Sequence, residues 1–161
     1  MEENTPPADE PAGDATWPHG RYVVGMDGSE QSQSALRSAL TLAELTGAHV
    51  EAVSAWTYPP FYGQGYVPTD PDLESDALSS LEDAVAGVVG FTKPSNLTTV
   101  LLKGIPTATL IEQSRGADLL ILGSRGHGGF AGLLLGSVSA ACAEHATCPV
   151  LIIHGPSPVP S

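Results

Sequence analysis

Residues 119–138 read Leu119-Leu-Ile-Leu-Gly-Ser-Arg-Gly-His-Gly-Gly-Phe-Ala-Gly-Leu-Leu-Leu-Gly-Ser-Val138. The aliphatic start predicts a strand buried on both faces, and the residues from Ser137 onward predict a helix. Between them lies a nearly uncharged loop. Glycines at 123, 126 and 136 let backbone N–H groups come close to an anion, and Ser137 is placed to cap the helix while offering its hydroxyl to the same ligand. The spacing predicts a phosphate cradle at a strand-to-helix crossover.

The same alternation extends outward in both directions. Arg21 to Met26 is a short apolar run fit for a buried strand. Ser29 to Thr46 carries Ala35, Leu36, Ala39, Leu40, Leu42, Ala43 and Leu45 at helical spacing until Gly47 stops it. Ala48 to Ala55 is a second strand, and Trp56 to Pro71 a loop rich in aromatics and proline. A helix begins near Thr69, with Pro71 and acids in its first turn, and runs on an apolar stripe of Leu73, Ala77, Leu78, Leu81, Val85 and Val88. Leu97 to Leu102 is a strand, Gly104-Ile-Pro a turn, and Pro106 to Arg115 a short helix. Ala117 to Leu122 is a strand, Ser137 to His145 a helix, and Pro149 to Ile153 a last strand.

Strands joined by helical crossovers of this length run parallel, so the pattern predicts a three-layer α/β sandwich, Rossmann-like, with a five-stranded sheet in the order 3-2-1-4-5. Ligands in such sheets bind beyond the carboxyl ends of the strands where the order reverses, here between the first and fourth. That places the Met26-Asp27-Gly28-Ser29 turn beside Gly123.

A chain of 161 residues, 42% of them hydrophobic, has the size and apolar content of one domain. Residues 1–19 hold four prolines and five acids, too polar to order themselves, and residues 155–161 hold three prolines. Both are expected to be loose tails around a domain at 20–154. Six basic against eighteen acidic residues give a net charge of −12, which argues against nucleic acid and anionic membranes as partners. With no basic, apolar leader at the start and no apolar run of about 18 residues, a cytoplasmic protein is expected. Cys142 and Cys148 have neither a disulfide framework nor zinc spacing around them.

Taken in order, Val23-Val-Gly-Met-Asp-Gly-Ser-Glu, Gly104-Ile-Pro, Gly123-Ser-Arg-Gly with Gly136-Ser-Val-Ser nine residues on, and Cys148-Pro-Val-Leu-Ile-Ile resemble the universal stress protein family over residues 21–154. In that family a glycine signature (Gly, two residues, Gly, nine residues, Gly, then Ser or Thr) marks the members that bind ATP, and Gly123, Gly126, Gly136 and Ser137 fill it. The resemblance implies that Asp27 lies near the ribose and the metal-phosphate region and that Ala55 meets adenine through its backbone. It also implies that Gly123, Arg125 and Gly126 line ribose and phosphates, and that Gly136, Ser137, Val138 and Ser139 hold the phosphates. Met26, Gly28 and Ser124, which flank these positions, complete the candidate nucleotide-binding set. Homodimers through the strand at Pro149–Ile153 are implied as well, and that wholly apolar edge needs a cover. Because Arg125 is the only fixed positive charge nearby, Mg or Mn is expected with the ATP, with Asp27 as a possible ligand.

Several residues admit plainer roles. Asp27 followed by glycine is also a common turn pair, and Ser29 is a helix cap rather than a nucleophile, since no Gly-x-Ser-x-Gly elbow surrounds it. The histidines at 19, 49, 127, 145 and 154 lack metal spacing and read as surface or helix-end residues, with His127 facing either phosphate or solvent. The aromatic loop from Trp56 to Tyr66 is either a partner-binding or lid segment over the adenine side or a loop packing its aromatics against the second helix. The expected activity is a nucleotide-dependent regulatory or protective factor in a stress response. A slow ATPase, a nucleotidyl-transfer enzyme and a cAMP binder remain as alternatives.

Overall fold

In the computed structural model, which describes residues 19–58, 72–126 and 135–155, each aliphatic run read as a strand is a strand. They are β1 (Arg21–Gly25), β2 (His49–Trp56), β3 (Leu97–Lys103), β4 (Leu119–Gly123) and β5 (Val150–Ile153). Helices α1 (Glu30–Thr46), α2 (Asp72–Val89), α3 (Pro106–Gln113) and α4 (Ser137–His145) alternate with them. All neighbouring strands pair in parallel in the order β3-β2-β1-β4-β5, because each crossover helix returns the chain to the same end of the sheet.

Side chains on a strand alternate between faces, and here both faces are dry. Val24, Val50, Ala52 and Ile121 join Ala35, Leu36, Ala39 and Ala43 of α1 and Leu81, Ala84 and Val85 of α2 in one core. Val23, Val53, Leu120 and Leu122 join Leu110 of α3 and Cys142 of α4 in the other. The three alanines facing the sheet bring α1 close to β1 and β4. Leu45 and Leu78, expected in the apolar stripes, are exposed at 81% and 46%; each sits at the edge of its stripe, beyond the reach of the sheet.

Helix ends follow local chemistry. Ser29 caps α1, its side chain accepting from the N–H of Ser32, and Gly47 closes the helix in the left-handed region at φ 77°. Element ends differ from the sequence expectation by a residue or two, where capping and fraying decide. The expected start of α2 at Thr69 to Pro71, most of the aromatic loop, His127 and both outer tails lie outside the described residues.

His49 corrects the expectation that every histidine is at the surface. It opens β2 with 4% exposure, and its Nε2 lies 2.9 Å from the Thr98 hydroxyl on β3. Burial lowers its pKa below the usual value, partly offset by Glu51. Beside it, Arg21 and Glu51 form a half-shielded ion pair at 2.7 Å, and the Arg21 guanidinium also donates to the Gln113 backbone carbonyl at 3.0 Å. This polar cluster ties β1, β2 and α3 together at the amino end of the sheet, opposite the site described next.

Candidate functional site

At the carboxyl ends of the strands β1 leads into α1 on one face, while the chain beyond β4 reaches α4 on the other. Between them is a cavity of about 730 Å³. Met26, Asp27 and Ala55 line it from the ends of β1 and β2, and Gly123, Arg125 and Gly126 from the exit of β4. Gly136, Ser137, Val138 and Ser139 line it from the start of α4. Sequence segments more than a hundred residues apart are thus gathered into one hollow. Arg125 is the one cation and Asp27 the one carboxylate among its described lining residues.

Gly28 and Ser124 are not part of this lining. Gly28 is exposed and takes φ 80°, a left-handed conformation that glycine adopts at no cost, so its work is the turn into α1. Ser124 is buried and acts as a junction. Its backbone carbonyl accepts from the N–H of Gly136 at 2.7 Å and from the Ser139 hydroxyl at 2.9 Å. Its own N–H donates to Ile153 at 2.9 Å. Its hydroxyl donates to Oε1 of Gln31 at 3.0 Å, and the same oxygen accepts from the N–H of Arg125 at 2.6 Å. The exit of β4 is therefore pinned to α1, α4 and β5 at once.

The start of α4 differs from the expectation for Ser137. The N-cap is Gly136, with no side-chain hydrogen bond to the helix, and Ser137 is the first helical residue. As the first helical residue Ser137 is not in the capping position, so among the described residues no N-cap side chain takes up the N–H donors of the first turn.

The glycines divide by what surrounds them. A Cβ on Gly123 would lie 2.9 Å from the backbone carbonyl carbon of Gln31, so the packing of α1 by itself demands glycine at this point of the cavity wall. A Cβ on Gly126 would run into the Asp27 carboxylate. At Gly136 the nearest atom is Arg125 Cα at 3.5 Å, an ordinary contact, and nothing in the described protein demands glycine there.

Asp27 has both of the roles read from the sequence in view. Its Oδ1 accepts from the Ser29 N–H at 2.9 Å and from the Ser29 hydroxyl, an Asx turn that shapes the entry to α1, while the residue remains exposed at the cavity wall. Among the described residues no three His, Cys, Asp or Glu side chains gather as a metal site. A divalent cation at Asp27 fits only if phosphate and water supply its other ligands.

Sequence reasoning missed the apolar part of the wall, Val53, Pro106, Leu110, Leu122 and Leu135. Their positions in strands, a helix start and the glycine loop carry no mark of a ligand, and only the fold shows that they face a common opening. Gln31 was missed too, since no motif marks it. Behind the site Cys142 is fully buried, and burial pushes its thiol up to about 11, so it packs α4 as a small apolar group. No described helix is long and apolar enough to cross a membrane.

The model of the universal stress protein family matches residues 19–154. Universal stress protein Rv2005c of Mycobacterium tuberculosis is 32% identical over 142 residues, an alignment that covers 84% of this chain and 48% of that protein. The chain thus spans about half the length of the mycobacterial relatives it matches. Universal stress protein YxiE of Bacillus subtilis is 31% identical over 147 residues, covering 83% of this chain and 98% of that one. A crystal structure of a universal stress protein in complex with cAMP superposes with TM-score 0.64 at 26% identity, covering 84% and 97% of the two chains.

Proposed function

The chain belongs to the universal stress protein family, and from that membership we propose that it binds an adenine nucleotide, ATP with Mg or Mn, in the cavity between β1 and β4. The observation that carries this reading is the start of α4. There a helix whose N-cap is a glycine makes no side-chain cap bond and presents its first turn to the cavity, packed on the backbone of Arg125 and Gly126. The base faces the apolar wall of Val53, Leu110 and Val138, with Ala55 at the end of β2, and the phosphates face Gly126 and residues 136–139. Mg or Mn, held by phosphate oxygens with Asp27 as a further ligand, offsets the charge that Arg125 alone leaves over.

Binding rather than turnover is the expected activity. Among the described lining residues Asp27 is the one carboxylate, and its Oδ1 holds the turn at Ser29, a role in shaping the cavity rather than in drawing a proton from an attacking water. Occupancy then acts by ordering the cradle and altering the surface around it, in a cytoplasmic protein of the stress response. Two chains pair through β5, whose four residues Val150 to Ile153 are each only partly buried, a use of the edge that hides its unpaired backbone.

A second ligand is favoured by a specific feature. One cation in the lining and a net charge of −12 suit a monoanion such as cAMP, which the structurally similar protein holds. Mass spectrometry of small molecules released from the denatured protein, followed by calorimetry with ATP-Mg and cAMP, decides between them. Adenine nucleotide in the released fraction supports the reading. No release and no heat with either compound would discard it.

A further inference from the structure

Gln31 belongs to none of the motifs that mark the cavity, yet it packs from α1 against the exits of both β4 and β5. Its Oε1 takes both the Arg125 N–H, at 2.6 Å, and the Ser124 hydroxyl, at 3.0 Å. Its backbone carbonyl carbon and Cβ lie 2.9 Å from where a Cβ on Gly123 would be, and its Cγ 3.3 Å from one on Gly155 beyond β5. Arg125 lines the cavity, so this oxygen is one hydrogen bond behind the wall.

The choice of an amide is informative. Gln31 stands in the first turn of α1, where the helix dipole favours an acid, and Glu30 already sits there. A carboxylate accepts hydrogen bonds from N–H and O–H donors more strongly than an amide oxygen does. Both considerations of fold stability favour glutamate at position 31, and the chain carries its neutral isostere. We propose that Gln31 is a positioning residue of the nucleotide cavity: it fixes the backbone at Ser124–Arg125, and its neutrality keeps a negative charge away from the anionic end of the ligand. This rests on the nucleotide reading above and extends it to the selection of ligand by charge.

Two variants separate the parts of the proposal. Gln31→Glu keeps the acceptor and adds the charge. It is expected to melt no lower than the wild type, to bind ATP-Mg about tenfold or more weakly, and to bind cAMP with a smaller loss, the deficit shrinking as salt is raised. Gln31→Met keeps the length and removes the acceptor. It is expected to speed hydrogen exchange at the Arg125 amide by about tenfold and to weaken both nucleotides by a similar factor, independent of salt. A merely structural glutamine would give losses in step with the melting temperature and no ordering by ligand charge. Wild-type binding of both nucleotides with the two variants indistinguishable from it would overturn this proposal alone. A wild type that binds neither would overturn the cavity reading and this proposal together.

Discussion

Two glycines of one signature should fail in opposite ways when each is changed to alanine. At Gly136 the added methyl meets Arg125 Cα at 3.5 Å and the Gly126 nitrogen at 3.6 Å, and the backbone sits at φ −69°, which any residue adopts. Stability without ligand should fall by no more than about 1 kcal/mol, the loss of a tolerated N-cap. The methyl nevertheless stands at the cavity wall where α4 offers its amides. Displacing a phosphate from one or two such bonds, each about 1.5–3 kcal/mol with a charged partner, weakens nucleotide binding by roughly 10- to 10,000-fold. At Gly123 the methyl lies 2.9 Å from the Gln31 carbonyl carbon and 3.0 Å from its oxygen, backbone that cannot swing aside. Overpacking there costs about 1–3 kcal/mol, or roughly 3–10 °C of melting temperature. Thermal unfolding with and without ATP-Mg reads both effects. Gly136→Ala should melt within about 3 °C of the wild type without ligand and lose most of the nucleotide shift, whereas Gly123→Ala should melt lower in either condition. A Gly136→Ala protein with the full shift, or a Gly123→Ala protein as stable as the wild type, would refute the division of roles.

Other outcomes follow from the same coordinates. His49 has its pKa lowered in the fold, so the unfolded chain takes up more protons near pH 6.5. Stability should be full above that value and fall as pH drops through it. Melting curves from about pH 7.5 to 5 should show this slope, and His49→Gln should flatten it. If two chains pair through β5 as proposed, sedimentation should find a dimer for the wild type and a monomer for Ile152→Lys, which puts a charge on that strand; a monomeric wild type would remove the pairing from the proposal. Cys142, buried with its thiol raised to about 11, should resist alkylation at neutral pH until the protein unfolds, while any early reaction should map to Cys148.

The sheet was legible because its strands are buried on both faces: Leu119 to Leu122 and Val150 to Ile153 carry no alternation that a half-exposed strand would show. Once the crossovers were read as helices, the strand order and the crevice followed. The glycine loop was legible as a cradle but not in its division of labour. Gly123 and Gly136 look alike in sequence, and only the packing of α1 distinguishes a glycine required by a neighbouring backbone from one where a methyl would make ordinary contacts. His49 was misread because a strand's first residue is often exposed, and its burial depends on Thr98 and Arg21 arriving from β3 and β1. Gln31 was invisible for the same reason. Its partners lie 93 and 94 residues away, a separation no local pattern encodes.

The start of α4 at Gly136 sets how robust such a pocket is to change. Recognition built from main-chain donors is indifferent to most substitutions, so the rim can drift in composition while the grip persists. Its weak point is phase. Adding or deleting a single residue at the helix origin turns the first turn by about 100°, aiming its donors away from the hollow and taking the Ser139 hydroxyl off the Ser124 carbonyl. Insertions and deletions, more than point changes, are therefore what would silence a lineage of this protein.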